Sequence, residues 1–312
     1  MPEHPSAAGQ RGLSAMGVSR NTRPFVRRKD GTWYSDGVTG MDAAMIEGRI
    51  FAHICGLSPI GEAIGRIELV YRDGEFSVQS IAEEPILCPT GCGFDALHVC
   101  DPALICINSR YHLYYSGLGY GQDSIGLAFS EDGRTFTRIP EPLFAGRAPC
   151  AVLRDGKLYL YYVMDNLLGG YDIHLAVSED GYSFRPLPDA VLTASGTGWD
   201  AKSVSTPRIM EGPDGTLYCF YCADAEEKDI PRSIGVAAGR DGIHWTKAAS
   251  PLLTVGAAGS FDDSALWLPS PLLLDGRVFL WYEGGHLDGT GAMISSIGLA
   301  ELPFSELKGL FY

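Results

Sequence analysis

The carboxylate of Asp101 stands in the stretch CDPALI, directly before a proline and an apolar run. A residue before proline is pushed toward extended geometry, so Asp-Pro is an ordinary way to enter a β-strand. A second carboxylate, Asp42, stands in the stretch GMDAAM. Two carboxylates that face one pocket can be driven to different pKa values and then divide the roles of acid and base. Asp101 therefore has two interpretations, a residue that opens a strand and a catalytic residue.

Other side chains in the sequence are also candidates for catalysis or binding. Glu283 in WYEGGH and Asp165 in YYVMDN are candidate catalytic acids, and each is equally compatible with a solvated loop. Histidine can transfer protons near neutral pH, with buried packing as the alternative, and the candidates are His53, His98 and His286. The candidate substrate-binding residues are Arg147, Asp95, His98, Trp199, Asp200, Asp263, Trp267 and His286.

Sequence repeats indicate the elements that must position these residues. The stretch SIGLAFSEDGRTFTRI (124–139) recurs as DIHLAVSEDGYSFRPL (172–187) and SIGVAAGRDGIHWTKA (233–248), with weaker copies at 66–78 and 296–304. An apolar run, a tight turn and an aromatic run precede each copy, and three of these units follow a Gly-x-aromatic-Asp motif. Four strands per unit at this spacing are typical of propeller blades. We expect an all-β, five-bladed β-propeller with four-stranded blades around a central channel; a two-sheet sandwich is the alternative.

The repeats also predict the domain boundaries. Residues 1–24 are polar and rich in small residues, which indicates a flexible leader, and residues 25–312 form one propeller domain. The last repeat has no obvious fourth strand, and the segment 24–35 is a candidate to supply it.

In a propeller the start of each first strand and the end of each second strand share one rim. The candidate residues fall on that rim, with Asp42 and Asp101 at equivalent entrances, whereas Glu211 in EGP falls in a hairpin of the opposite rim and is structural. Trp199 and Trp267 either stack on a sugar ring or wedge between blades.

Composition excludes several classes of function. The net charge of −14 opposes nucleic acid and anionic membrane as partners. The chain has no apolar run long enough for a membrane span and no apolar core for a signal peptide near its start, which favours a cytoplasmic protein. The eight cysteines are expected to be free thiols, because Cys219 and Cys222 in LYCFYC point to opposite faces of a strand. No metal or other cofactor is predicted, and the sequence makes no prediction of oligomeric state.

The residues after about position 30 resemble the five-bladed clan that contains glycoside hydrolase family 43, the invertases and the levansucrases. The resemblance rests on CDPALI, on boxes of the type DGIHW and on units that join GxWD to a later DG turn. It implies that Asp42 is the general base and that Asp101 orients the substrate and tunes a pKa. At the third position the family has a glutamate as general acid, and this chain has Arg147 in RAP. An arginine stays protonated and is no proton donor, but it binds a carboxylate or phosphate through two N–H bonds.

Three functions remain open from the sequence. The first is a glycoside-hydrolase-like enzyme for a small glycoside or furanoside, in which Glu283 or Asp165 replaces the missing acid. The second is a repurposed propeller enzyme that performs an elimination, cyclisation or group transfer and uses Arg147 to hold an anionic substrate. The third is an inactive sugar-binding propeller. One fold hosts many reactions, so the choice depends on the geometry of the site.

Overall fold

The structure is a computed structural model that describes residues 11–13 and 17–311 of the chain. Two short strands come first, β1 (Arg11–Leu13) and β2 (Ser19–Asn21). The first antiparallel unit follows, with β3 (Gly37–Ile46), β4 (Arg49–Ser58), β5 (Gly61–Arg72) and β6 (Glu75–Ile81). The second contains β7 (His98–Ile107), β8 (Arg110–Leu118), β9 (Ser124–Ser130), β10 (Thr137–Arg138) and β11 (Phe144–Ala145). A single-turn 3₁₀ helix at Gly93–Asp95 lies between them.

Three further units complete the chain. The third contains β12 (Arg147–Arg154), β13 (Lys157–Asp165), β14 (Tyr171–Ser178) and β15 (Arg185–Pro186). After a second 3₁₀ turn, Gly198–Asp200, the fourth contains β16 (Ser203–Glu211), β17 (Leu217–Asp224), β18 (Ser233–Gly239), β19 (Thr246–Lys247) and β20 (Leu253–Thr254). The fifth contains β21 (Ala265–Leu274), β22 (Arg277–Leu287) and β23 (Met293–Pro303), which leads into α1 (Phe304–Gly309).

The five units are the blades of a β-propeller. Their first strands contact one another in a closed circle, β3 with β7, β7 with β12, β12 with β16, β16 with β21, and β21 with β3. Within each blade the strands pair antiparallel in chain order. The predicted all-β propeller of five blades is therefore confirmed, and the two-sheet sandwich is excluded because the circle closes around a channel.

The fifth blade takes its outer strand from the start of the described chain. Strand β2 pairs antiparallel with β23, with Ser19 opposite Glu301. Within the predicted donor segment 24–35, Val26 makes only an isolated bridge to Ile297. The closing strand is therefore at Ser19–Asn21, inside the segment expected as a leader; the rest of that leader up to residue 10 and residues 14–16 lie outside the described residues.

Each junction between two blades has its own apolar core. One such cluster joins blades I and II around Ile64, Val99 and Tyr115, and another closes the ring between blades V and I around Met41 and Trp281. The other three junctions have equivalent clusters. Burial of each large apolar side chain stabilises the fold by roughly 1.5–3 kcal/mol, so the blades support one another around the ring. No helix within residues 11–13 and 17–311 is long and apolar enough to span a membrane.

The aspartates of the Gly-x-aromatic-Asp motifs fasten the blades. Asp95 accepts a hydrogen bond from the hydroxyl of Tyr115 at 3.0 Å and lies 2.9 Å from a guanidinium nitrogen of Arg138 in β10. Asp200 lies 2.5 Å from the ammonium nitrogen of Lys247 in β19. Both carboxylates are buried and paired with a cation from an outer strand. Asp95 and Asp200, which the sequence analysis predicted to bind substrate, therefore lie in buried ion pairs that hold outer strands.

The aspartate of the third motif, Asp262 in GSFD, fastens its blade in the same way. Asp262, not the predicted Asp263, accepts from the Tyr282 hydroxyl at 2.8 Å and pairs with Arg20 of β2 at 3.2 Å. The motif's aromatic residue packs on a tyrosine of the second strand. In the fourth blade Trp199 stacks on Tyr221 with 5.9 Å between ring centroids. Trp199, predicted either to stack on a sugar ring or to wedge between blades, therefore packs on a tyrosine of its own blade.

Candidate active site

The innermost strands all carry one extra residue near their start. It has a left-handed backbone and precedes a proline in four blades, with φ of 54° at Asp101, 51° at Ala148, 46° at Thr206 and 44° at Leu268. The register of β3 shifts at the same point, which makes Thr39 the counterpart in blade I. Such a backbone costs on the order of 1–3 kcal/mol at a residue other than glycine, and bulges of this kind redirect side chains near binding sites. We call this ring of five residues the channel mouth.

Asp42 is not the equivalent of Asp101. It lies three residues beyond Thr39 along β3, level with Leu104, whose backbone N–H donates to Asp42 Oδ2 at 3.2 Å. Its other oxygen, Oδ1, lies 3.3 Å from Nε of Arg208. Burial raises the pKa of Asp42, and the charge of Arg208 offsets part of that rise. The predicted general base is therefore committed to a buried ion pair.

The Arg208 side chain plugs the channel below the mouth. Its guanidinium donates to the carbonyl oxygens of Pro149 and Pro102 at 3.0 Å each and of Pro207 at 2.9 Å. Arg208 is only 3% exposed. Below it lies a cavity of about 330 Å³ that is bounded by Asp42 and by residues near the hairpin rim. The plug therefore separates Asp42 from the mouth, where a substrate would enter.

Asp101 is held rigidly in the mouth. Its Oδ2 accepts a hydrogen bond from the Ser116 hydroxyl at 2.6 Å, and the same Ser116 oxygen accepts from the Ala148 N–H at 2.7 Å. This chain of bonds ties the carboxylate to blades II and III. Burial lowers the pKa of Arg147 and the Asp101 carboxylate raises it, with a net rise. The predicted residues Asp101 and Arg147 therefore lie close enough for their charges to interact.

Glu62, at the start of β5, supplies a second carboxyl group that the sequence analysis missed. Its Oε1 accepts a hydrogen bond from Thr39, and its Oε2 lies 3.8 Å from Nδ1 of the predicted residue His98. Burial raises the pKa of Glu62 to about 7; the bond from Thr39 lowers it and the charge of Asp101 raises it. The side chain is still 15% exposed. A partly accessible carboxyl group that titrates near neutrality is suited to general acid catalysis.

The predicted acid Glu283 belongs to the same cluster. It lies on β22 opposite Trp267 of β21 and is 6% exposed. Burial raises its pKa well above the ordinary value, a hydrogen bond from Ser295 lowers it, and the charges of Glu62 and Asp101 raise it again. Burial therefore favours the protonated form of Glu283. Three carboxyl groups from three blades thus influence one another at the mouth, two of them with raised pKa values.

The other predicted residues lie to the sides of this cluster. Asp165 is 74% exposed and pairs with Lys228 at 2.8 Å, so it flanks the mouth and does not join the carboxyl cluster. Trp267 lines a recess of about 60 Å³ with Arg147, and its indole N–H donates to the Asp229 carbonyl at 2.9 Å.

Asp263 and His286 form a separate pair in blade V, with 2.9 Å between Oδ1 and Nδ1. Burial raises the pKa of Asp263, and hydrogen bonds from His286 and from the Gly259 N–H more than offset that rise. Within the described part of the chain, neither residue is hydrogen-bonded to the carboxyl cluster. The pair holds two rim segments together.

A sequence signal for Glu62 exists in the repeats. Glu62 stands three residues before Gly65, which pairs with Ile54 in blade I as Gly298 pairs with Tyr282 in blade V. The residue three before Gly298 is Ser295, which bonds Glu283. Glu62 and Ser295 thus each stand immediately before an (S/A)IG box, and EAIG is the copy in which that preceding residue is a glutamate.

Comparison with known proteins supports the fold. No protein-family model matches the chain. Two uncharacterized proteins of Mycobacterium tuberculosis, from strains H37Rv and CDC 1551, are each 25% identical over 235 residues, which cover 69% of this chain and 76% of theirs. Their descriptions carry no activity.

Solved structures with this fold include several that process carbohydrates. An N-acetylgalactosamine deacetylase from F. plautii, bound to blood group B trisaccharide, has a TM-score of 0.69 at 18% identity and covers 91% of this chain and 94% of its own. The β-1,2-mannobiose phosphorylase of Listeria innocua has a TM-score of 0.68 at 15% identity, with coverage of 94% and 98%. A thermostable family-43 glycoside hydrolase has a TM-score of 0.65 at 18% identity, with coverage of 86% and 91%. At these identities the likeness establishes the β-propeller fold.

Proposed function

We propose that this protein is a glycoside-processing enzyme that cleaves a small pyranoside or furanoside at the channel mouth. Glu62 is the proton donor, and Asp101 is the base or nucleophile. The observation that carries the proposal is the position of Glu62 at the channel mouth, where its Oε1 accepts a hydrogen bond from Thr39 and its side chain is 15% exposed. Burial raises the pKa of this carboxyl group to about 7, which suits a proton donor. Glycoside cleavage needs one carboxyl group that keeps its proton and one carboxylate. The similar solved structures, which include a glycoside hydrolase and a phosphorylase, support this class of reaction.

In this mechanism the residues at the mouth divide the work. Glu62 protonates the glycosidic oxygen as the bond to the anomeric carbon breaks. Asp101, oriented by Ser116, either activates the incoming nucleophile or attacks the anomeric carbon itself. Glu283, whose pKa is raised by burial, forms a hydrogen bond with a sugar hydroxyl, and the Trp267 ring offers an apolar face. Asp42 has no chemical step, because Arg208 and the Leu104 N–H occupy its oxygens.

The test compares four forms of the protein on a panel of aryl pyranosides and furanosides. The forms are wild type, Glu62→Gln, Asp101→Asn and the control Glu68→Gln, which changes a 42% exposed glutamate on the same strand. We expect turnover in wild type and in the control, and losses of roughly 10²–10⁴-fold in the other two. Unchanged circular dichroism and melting temperature would assign the losses to chemistry.

Two further measurements separate the roles. Because Glu62 acts in its protonated form, the rate falls as the pH rises through about 7, and Glu62→Gln removes that limb of the profile. The loss in Glu62→Gln is larger for an alkyl glycoside than for a 4-nitrophenyl glycoside, since a poor leaving group depends more on protonation. Full activity in Glu62→Gln would refute its role. Sugar binding without turnover on any substrate would favour the binding-protein alternative instead.

A further inference from the structure

A second polar region adjoins the carboxyl cluster on the side of blades III and IV. A cavity of about 320 Å³ lies there, and Arg147, Tyr171 and Lys228 are among its lining residues. The same three residues also line the smaller recess that reaches Thr206 in the channel mouth. The cavity and the mouth therefore form one continuous surface, and a substrate that occupies the mouth extends naturally toward the two cations.

Arg147 has hydrogen-bonding capacity that its neighbours do not use. Among the described residues, its guanidinium makes one hydrogen bond, from Nη1 to the Tyr171 hydroxyl at 3.1 Å. The carboxylates of Asp123 and Asp229 lie 3.7 and 3.9 Å from Nη1, too far for hydrogen bonds. A guanidinium has five N–H donors, and the Arg147 side chain is 34% exposed. The Nε and Nη2 edge is therefore open to a ligand that can accept two parallel bonds.

Lys228 places a second positive charge close by. Its ammonium nitrogen lies 4.6 Å from the centre of the Tyr171 ring, and the guanidinium carbon of Arg147 lies 5.6 Å from the centre of the same ring. The counter-charge of Lys228 is Asp165, which is 74% exposed. Exposed ion pairs of this kind contribute little to stability, so an incoming anion displaces Asp165 from Lys228 at little cost.

We propose that Arg147 and Lys228 form a subsite for an oxyanion, a phosphate or a carboxylate, beside the ring of Tyr171, whose hydroxyl donates to Asp229 Oδ1 at 2.7 Å. The inference rests on the proposed function, because the subsite then recognises either a charged group on the sugar substrate or free phosphate as the second reactant. In the latter case a phosphate oxygen bonds to the anomeric carbon, the glycosidic C–O bond breaks, and the proton of Glu62 passes to the leaving oxygen. No oxidant or reductant is involved. The chemistry required of the subsite, acceptance of charge-assisted N–H bonds by oxygen, is the same in both cases.

The first experiment measures binding and needs no turnover. Inorganic phosphate and, separately, glucuronate are titrated into wild type, Arg147→Met, Lys228→Met and the control Lys202→Met at constant ionic strength set with chloride. Lys202 donates to the Glu226 carbonyl and does not line the cavity. We expect saturable binding in wild type and in the control, and binding roughly 10- to 100-fold weaker in the two subsite variants, the range for loss of a hydrogen bond to a charged group. Arg147→Lys keeps the positive charge but cannot donate two parallel bonds. Its affinity should therefore lie between that of wild type and that of Arg147→Met.

The second experiment distinguishes the two sources of the anion. If phosphate is a reactant, it increases the rate of glycoside cleavage and the product is a glycosyl phosphate. If the sugar carries the anionic group, phosphate inhibits competitively and aryl uronides or phosphorylated aryl glycosides are better substrates than neutral ones. The subsite is overturned if Arg147→Met binds phosphate and glucuronate as tightly as wild type does. It is also overturned if wild type binds neither anion. Binding without cleavage of any glycoside overturns the proposed function and leaves the subsite standing.

Discussion

The substitution Arg208→Met tests whether the channel plug is a charged structural element. In the wild type the guanidinium neutralises Asp42 and satisfies three proline carbonyls at 2.9–3.0 Å. Methionine keeps most of the side-chain volume and removes the charge. It leaves Asp42, which is 8% exposed, as a buried carboxylate with one remaining bond, from the Leu104 N–H.

The expected loss of stability is large because an unpaired charge remains. Breaking a buried ion pair from one side costs about 3–5 kcal/mol. Unfolding of a chain of this length has an entropy of roughly 0.6–0.7 kcal/mol per kelvin, so the melting temperature should fall by about 5–8 °C. The double variant Asp42→Leu with Arg208→Met has no unpaired charge and should recover a substantial part of the loss.

Urea unfolding followed by tryptophan fluorescence, at pH near 8 and near 5, measures these differences. Burial raises the pKa of Asp42, and removal of Arg208 removes the charge that lowers it. The folded variant therefore binds a proton at a pH at which the unfolded chain has lost it. The destabilisation is full near pH 8 and shrinks as the pH falls through the raised pKa. A loss below about 1 kcal/mol that is the same at both pH values would refute the description of a buried, charged pair.

Two other substitutions test the packing and the buried histidine. In Gly235→Ala the new Cβ would lie 2.3 Å from Trp199 Cη2, so the free energy of unfolding should fall by about 1–3 kcal/mol. In the control Gly289→Ala the new Cβ meets open space, so the free energy of unfolding should change little. Equal effects of the two substitutions would contradict the packing of Trp199 against Gly235. His53 has a pKa lowered to about 4 by burial and by Arg66, so its stabilising contribution is present at neutral pH and is lost as the pH falls from its unfolded value toward 4. The free energy of unfolding of His53→Leu relative to wild type should therefore rise by about 3 kcal/mol between pH 7.5 and 4, and a difference independent of pH would refute this.

The blades were predictable because their signals are local. Asp132 and Asp180 each accept hydrogen bonds from the backbone N–H groups two and three residues later, at 2.7–2.8 Å. Such turns are encoded within a few residues, and so is the alternation of the strands. The rim on which Asp101, Arg147 and Glu283 meet follows from strand direction alone once the blades are recognised.

The structure departs from the sequence analysis where the decisive contact is distant in sequence or where a blade has no proline at its bulge. GMDAAM has no proline to mark the bulge, so alignment by the aspartate moved Asp42 three residues away from its true level, which is that of Leu104. The cations that occupy Asp95 and Asp200 stand 43 and 47 residues later, in outer strands. The raised pKa of Glu62 depends on burial among Thr39 and other blades' residues, which no local pattern reports.

The pairing of β2 with β23 has a kinetic consequence. Arg20 and Asp262, which fasten the last blade, are 242 positions apart. During synthesis, the segment that contains β2 emerges before the five blades and has no partner until β23 has left the ribosome. Closing so long a loop is slow, because its entropy must be lost before the contacts form. A chain arrested after blade IV would therefore be an open arc with two apolar blade faces exposed, which makes that intermediate prone to aggregation.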